Sequence, residues 1–162
     1  MWDRAFDAMA LLAAIGSGLI GGVFYAFSTF VMKALSRRPA AEGMAAMQAI
    51  NVAVINPLFL GVFLGTAGVC ILAAVLAVVR WQAAVSGYAL VGAAMYVFGT
   101  FGVTMVYNVP LNNALAAADP TDPGSAALWT SYLRRWTMWN HVRTAAATAA
   151  LIAFVLALRA AR

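Results

Sequence analysis

Four long apolar runs constrain this sequence more than any other feature. They cover residues 8–32, 57–79, 85–107 and 137–158. The hydrocarbon core of a bilayer is about 30 Å thick, and a helix needs about 20 apolar residues to cross it. Each run is long enough for one crossing. The sequence therefore predicts an all-α fold, a transmembrane four-helix bundle, with residues 1–162 forming a single domain.

Composition argues against both a soluble domain and a nucleic-acid-binding domain. Of the 162 residues, 65% are hydrophobic and 9% are charged, whereas about 25% of the residues in a soluble domain are charged. The formal net charge is +5, but the basic residues occur singly or in pairs and form no stripe that could follow a phosphate backbone. We therefore expect a multi-pass protein of the bacterial inner (cell) membrane. Its expected partner is the lipid bilayer, and we expect it not to bind nucleic acid.

The connections between the runs predict two long loops on one side of the membrane. Apolar residues at helical spacing in residues 42–55 predict a short interfacial helix. Residues 110–135 predict a continuation of the third helix, a loop with the sequence DPTDPGS, and a second short helix. Lysine and arginine divide five to four between the two sides, which favours cytoplasmic long loops by one residue. The first run has the length of a retained span and not of a signal peptide, so we expect the mature chain to begin near Met1.

Glycine recurs along three of the runs and predicts close helix packing. The positions are Gly18 and Gly22, then Gly61, Gly65 and Gly68, then Gly92, Gly99 and Gly102. In lipid, small residues allow helix backbones to approach closely. We interpret these faces as contacts within one chain, and association into a homo-oligomer is the alternative.

Polar residues concentrate at the long-loop end of the predicted bundle. The fourth run contributes Asn140, His141 and Arg143, and Trp136 just before it shares a helical face with Asn140 and Arg143. Arg143 lies about 22 Å along the helix from Leu158, inside the apolar core. The other members are Tyr25, Ser28 and Thr29, Asn51 and Asn56, the stripe Tyr96, Thr100, Thr104 and Tyr107 or Asn108, and Asn112 and Asn113. Because buried polar groups are costly in a membrane, their convergence predicts a polar pocket bordered by both His141 and Arg143. The alternatives are an arginine that reaches lipid phosphates, a surface histidine, and asparagines that cap helices or close turns.

The residue inventory limits the chemistry of this pocket. A metal site needs three or four cysteine, histidine or carboxylate ligands, and only His141 is available, so we expect no metal. Haem with His141 as its axial ligand remains an alternative. What remains is an oxyanion site in which Arg143 and amide donors stabilise negative charge on an oxygen, while the imidazole accepts a proton.

Four segments carry a resemblance to a known family. They read GGVFYAFSTFVM, NVAVINPLF, YNVPLNNAL and WTMWNHVRTAAA, and they resemble segments of the anthrone oxygenase-like family of small four-span membrane proteins. The resemblance covers roughly Gly16 to Leu156. It implies oxidation of an anthrone-like, lipophilic phenolic substrate by O2 without a metal or organic cofactor. The matching positions are Asn56, Asn108, Pro110, Asn112, Trp139, Asn140, His141 and Arg143.

The resemblance also implies roles for individual residues. His141 would remove a proton from the activated ring methylene, and Arg143 with Asn108 and Asn112 would hold the resulting enolate oxygen. The expected substrate-binding residues are Tyr25, Asn56, Thr100, Thr104, Tyr107, Trp139 and Asn140. Two other interpretations remain: a non-catalytic protein that binds haem or lipid, as an accessory subunit or an oligomeric carrier, and a purely structural bundle.

Overall fold

The computed structural model describes the backbone of residues 2–161 and the side chains of residues 4–161. Five helices cover most of this part of the chain. Helix α1 comprises an α-helical part at Trp2–Ala26, a π-helical turn at Phe27–Val31 and a last α-helical part at Met32–Ser36. Helix α4 comprises an α-helical part at Ala83–Ala94, π-helical segments at Met95–Gly102 and Thr104–Asn108, and a last α-helical part at Val109–Ala116. The other three helices are regular: α2 is Ala40–Ala53, α3 is Pro57–Val79 and α5 is Ser125–Ala160.

Four of these helices are long and apolar enough to cross a membrane. The candidate spans are Arg4–Ser36, Pro57–Val79, Ala83–Ala116 and Ser125–Ala160. Helix α5 packs against α1 and α4, and α3 packs against the same two helices. The predicted all-α four-span bundle is confirmed, and the chain is an integral, multi-pass membrane protein.

Two apolar clusters fill the bundle. The main core contains many alanines, which let the helices approach closely; its fully buried members include Ala10, Ala13, Ala73, Ala89, Ala150 and Ala157. The second cluster, which we call the loop-side cluster, comprises Met32, Met44, Met47, Leu115, Trp129, Tyr132 and Trp136. Helix α2 contributes two of its methionines, so the short helix predicted for the first long loop covers this end of the bundle.

The start of α5 differs from the expectation. The sequence predicted a separate short helix before the fourth span, whereas one continuous helix runs over Ser125–Ala160. Trp129, Tyr132 and Trp136 follow one another at helical spacing, and all three are buried in the loop-side cluster. Burial of this aromatic face joins the two predicted segments into one helix, which sequence composition alone did not indicate.

The glycines divide into packed and unpacked faces. Added Cβ atoms at Gly92 and Gly99 would meet side chains of α5, so these two positions pack within the chain as predicted. By contrast, Gly61, Gly65 and Gly68 of α3 have no atom within 4 Å of such a Cβ. The interpretation as contacts within one chain holds for α4 and not for α3, and association between chains stays a prediction.

Replacing Gly99 with alanine is expected to destabilise the protein. The new Cβ would lie 2.6 Å from the Cβ of Ala146, and neither methyl group can rotate away, so α4 and α5 must separate. Overpacking of this kind costs about 1–3 kcal/mol. Gly65→Ala is the matched control, because it gives the same gain in helix propensity with no atom within 4 Å. Thermal unfolding in one detergent should give a lower Tm for Gly99→Ala only; equal Tm values would contradict this close contact.

Candidate functional site

Hydrogen-bonding side chains form a layer across the bundle between the two apolar clusters. We call this the polar layer; it comprises Ser28 of α1, Thr100, Thr104 and Asn108 of α4, and Asn140, Arg143 and Thr144 of α5. Asn108 and Asn140 are fully buried, and Arg143 is 4% exposed. The three π-helical segments of α1 and α4 each contain a residue of this layer. Such segments are frequent at functional sites.

The guanidinium of Arg143 lies at the centre of the layer. Its Nη2 donates a hydrogen bond of 2.7 Å to Oδ1 of Asn140, and its Nη1 donates one of 3.3 Å to Oγ1 of Thr104. Its Cζ lies 4.1 Å from the ring centroid of Phe24 and 4.9 Å from that of Trp136. Among residues 4–161, no carboxylate forms a salt bridge with it. Arg143 therefore has neutral hydrogen-bond partners and aromatic neighbours, but no counter-charge.

Asn140 holds this guanidinium and joins α5 to α1. Its Nδ2 donates to the carbonyl oxygen of Phe24 and to Oγ of Ser28, both at 2.7 Å. Thr144 donates to the carbonyl oxygen of Asn140 at 2.9 Å, so the 3.0 Å bond between Ser28 and Thr144 has the serine as donor. Both amide hydrogens and the amide oxygen of Asn140 are thus used within the protein. This arrangement leaves Asn140 little freedom and fixes one edge of Arg143.

Unused hydrogen-bonding capacity lies between α4 and α5. Four buried side-chain atoms lack a partner in the described part of the chain, and three of them belong to the polar layer: Oγ1 of Thr100, Oδ1 of Asn108 and Nε of Arg143. Asn108 uses its Nδ2 to donate to the carbonyl oxygen of Trp136 at 3.2 Å. Leaving such an atom without a partner costs about 1–3 kcal/mol. Three of them in one layer therefore mark a place where a bound molecule or water would be stabilised.

His141 lies outside the polar layer. It is exposed and lines an open groove of about 580 Å³ between α1 and α5, together with Lys33 and Arg134. The sequence predicted one pocket bordered by both His141 and Arg143, and the structure does not bring these two side chains together. They are two residues apart on a helix, a rotation of about 200°, so Arg143 faces the interior while His141 faces outward. Ser28 alone among the described residues both lines the groove and belongs to the polar layer.

Asn112 lies beside the loop-side cluster and hydrogen-bonds to two of its members. Its Oδ1 accepts hydrogen bonds from the hydroxyl of Tyr132 at 2.9 Å and from Nε1 of Trp136 at 2.8 Å. The ring of Trp136 in turn covers the guanidinium. Trp136 was not among the predicted site residues, although it shares a helical face with Asn140 and Arg143.

The remaining predicted site residues divide between the layer and the periphery. Thr100 and Thr104 lie in the layer, where Thr104 accepts a hydrogen bond from Arg143, and their role in binding a substrate stays a prediction. Asn56 caps α3, where its Oδ1 accepts from the backbone N–H of Phe59 at 3.0 Å. Tyr25 is exposed, and Tyr107 stacks on Trp139 with ring centroids 3.6 Å apart. Phe24 contacts the guanidinium of Arg143 and was missed, since it does not stand out in an apolar run without knowledge of how α1 is rotated. Ser28 was among the polar residues expected to converge here, and it accepts a hydrogen bond from Asn140.

The polar layer differs from a metal site in its donor atoms. Within the part of the chain that the structure describes, no three cysteine, histidine or carboxylate side chains lie close enough to hold a metal ion. The polar layer offers a guanidinium, amides and hydroxyls instead, which are groups that bind oxygen anions.

Comparison with known protein families identifies a family that this chain matches. Residues 58–153 match the family described as anthrone oxygenase. No curated protein and no solved structure matches the chain. The matched segment is more than half of the sequence, and it includes all of the polar layer except Ser28. The chain therefore belongs to the anthrone oxygenase family.

Proposed function

We propose that this protein is a membrane-embedded oxygenase that uses O2 to oxidise the activated methylene of an anthrone-like, lipophilic phenolic substrate. Arg143 of the polar layer holds the oxygen anion of the reacting substrate. The observation that carries the proposal is a guanidinium that is 4% exposed and has no counter-charge among the described residues. Membership of the anthrone oxygenase family supplies the reaction class.

A buried cation without a counter-charge is expensive, and an anionic ligand offsets that cost. Removing a charge from water costs several kcal/mol. Two neutral hydrogen bonds and the faces of Phe24 and Trp136 return part of it. An enolate oxygen at about 4 Å would gain about 4 kcal/mol at an effective dielectric constant of about 20. That gain corresponds to about three pKa units of added acidity in the bound substrate.

The proposed reaction balances without a reductant or a metal. The ring methylene loses one proton, and the enolate oxygen binds at Arg143. The carbanionic carbon then reduces O2 and forms a C–O bond, which gives a peroxide. Loss of the second C–H proton with cleavage of the O–O bond releases water and leaves a carbonyl group. Overall, CH2 and O2 become C=O and H2O, with four electrons passing from carbon to oxygen.

The first proton goes to water in this proposal. The resemblance assigned this step to His141, but its side chain faces the groove, and the bonds of Asn140 to Phe24 and Ser28 close the contact between α1 and α5. Stabilisation of the enolate by Arg143 replaces a dedicated base. The unpartnered Oγ1 of Thr100 and Oδ1 of Asn108 offer hydrogen bonds to other oxygens of the substrate.

Oxygen consumption by the purified protein tests this function. In detergent with a hydroxylated anthrone, we expect uptake of one O2 per quinone formed and no release of H2O2. Protein-free micelles give the rate of autoxidation. A rate no higher than that of the micelles for every hydroxylated anthrone would contradict the oxygenase function. A haem absorption band that shifts in His141→Ala would instead assign the groove to haem and contradict a cofactor-independent reaction.

A further inference from the structure

A second polar feature lies on the outside of the bundle and takes no part in the proposed reaction. The groove between α1 and α5 has a volume of about 580 Å³. We call it the basic groove, because Lys33, Arg134 and His141 line it and no acidic residue of the described chain does. We propose that the basic groove binds the phosphate headgroup of an anionic membrane phospholipid.

The basic side chains of the groove are unpaired. Neither Lys33 nor Arg134 forms a salt bridge within residues 4–161, whereas Arg38 at the same end of the bundle pairs with Glu42. Two permanent positive charges therefore face one opening, and no anionic side chain of the described residues neutralises them. A phosphate diester supplies that charge, and basic pockets between transmembrane helices are sites at which anionic headgroups bind.

The groove combines a charged part and apolar walls, as the headgroup and acyl chains of a phospholipid would require. Lys33 is in the last α-helical part of α1, and Arg134 precedes His141 by about 10 Å along α5, so both permanent cations lie toward the long-loop end. Apolar walls accompany them and come from Met32, Leu133 and Met138. A headgroup between the two cations would leave its acyl chains to run along these walls into the bilayer. The volume exceeds what a phosphate ion alone would fill.

Lipid titration of the full-length protein tests the proposal. The delipidated protein in non-ionic detergent is titrated with phosphatidylglycerol or with phosphatidylcholine, and bound lipid is counted by native mass spectrometry. We expect phosphatidylglycerol to be retained and to raise Tm more than phosphatidylcholine does. In Lys33→Gln/Arg134→Gln, binding of phosphatidylglycerol should weaken about 30-fold, the effect expected for two basic groups near an anionic headgroup.

Matched variants separate this site from general surface charge. Arg37→Gln/Arg135→Gln removes the same charge from two exposed residues near the groove that do not line it, and it should bind phosphatidylglycerol as the parent does. Lys33→Arg/Arg134→Lys keeps both charges and should restore binding. Equal losses in the two glutamine variants would overturn the proposal. Displacement of the lipid by millimolar inorganic phosphate would assign the groove to free phosphate and would equally overturn it. Oxygenase activity enters none of these measurements.

Discussion

Replacing Arg143 with methionine is expected to abolish most of the oxygenase activity while leaving the protein at least as stable as the parent. Loss of one oxyanion-stabilising donor typically lowers kcat by about 10²–10³. The guanidinium is the only cation in the polar layer as described, so a loss of kcat/KM in this range is expected. Initial rates of O2 uptake with a hydroxylated anthrone measure it.

Stability should change in the opposite direction. Within residues 4–161, the buried cation of the parent has no salt bridge and its Nε has no partner. Replacing buried charge with an apolar side chain is often neutral or stabilising. A methionine side chain would keep contact with the faces of Phe24 and Trp136, with which its sulfur interacts favourably. Oδ1 of Asn140 would lose its donor, at a cost of about 1–3 kcal/mol. Because burying the charge costs the parent several kcal/mol, its removal offsets this loss, and we expect Tm to be unchanged or higher.

Two control variants locate the effect. Arg135→Met makes the same substitution at an exposed residue of the same helix and should keep the activity. His141→Ala should also keep it, because His141 lines the groove and not the polar layer. An active Arg143→Met variant would remove Arg143 from the reaction. An inactive His141→Ala variant would restore the base that the resemblance implied and would require a substrate that reaches both side chains.

The sequence was sufficient to predict the fold, because a segment that crosses a lipid bilayer must be apolar over its whole length and is therefore easy to recognise. Four runs of apolar residues specify four helices, and the helix bounds of α3 agree with the predicted run at residues 57–79. The start of α5 was not predictable in the same way. Whether Trp129, Tyr132 and Trp136 continue the helix depends on their burial against α2 and the end of α4, which is a tertiary contact.

The candidate site was only partly predictable for a related reason. Spacing placed Asn140 and Arg143 on one face of α5 and placed Thr100, Thr104 and Asn108 on one face of α4. The two faces do meet, through the hydrogen bond from Arg143 to Thr104. The spacing also showed that His141 is offset from the first of these faces, but not which side of α5 faces the interior. The side chains of α5 in the membrane are apolar on every face of the helix, so the sequence does not show which face turns toward the interior of the bundle. The interior alanines and the hydrogen bonds of Asn140 fix this orientation.

Replacing Asn140 with aspartate tests whether the free charge of Arg143 matters, and not merely its position. The side chain keeps its shape and its acceptor oxygen for Nη2 of Arg143. It cannot donate to Phe24 and Ser28 as Nδ2 of Asn140 does, and it adds a carboxylate to a layer that has none. The attraction of about 4 kcal/mol expected between Arg143 and an enolate would then be largely cancelled. We expect kcat/KM for the anthrone to fall by about 10²–10³. Asn113→Asp, the same change at an exposed residue near the end of α4, is the control.

Asn140→Ala isolates the effect of the carboxylate, because both variants lose the hydrogen bonds donated to Phe24 and Ser28 and only aspartate keeps a partner for Arg143. Alanine removes the bonds to Phe24, Ser28 and Arg143, and each buried group left without a partner costs about 1–3 kcal/mol. Tm should therefore fall, whereas Arg143 keeps an uncompensated charge and part of its pull on the enolate. If the proposal holds, Asn140→Asp is the less active variant and Asn140→Ala the less stable one. If aspartate instead supports full activity, a paired guanidinium is sufficient for the reaction, and the counter-charge argument for an anionic substrate at Arg143 fails.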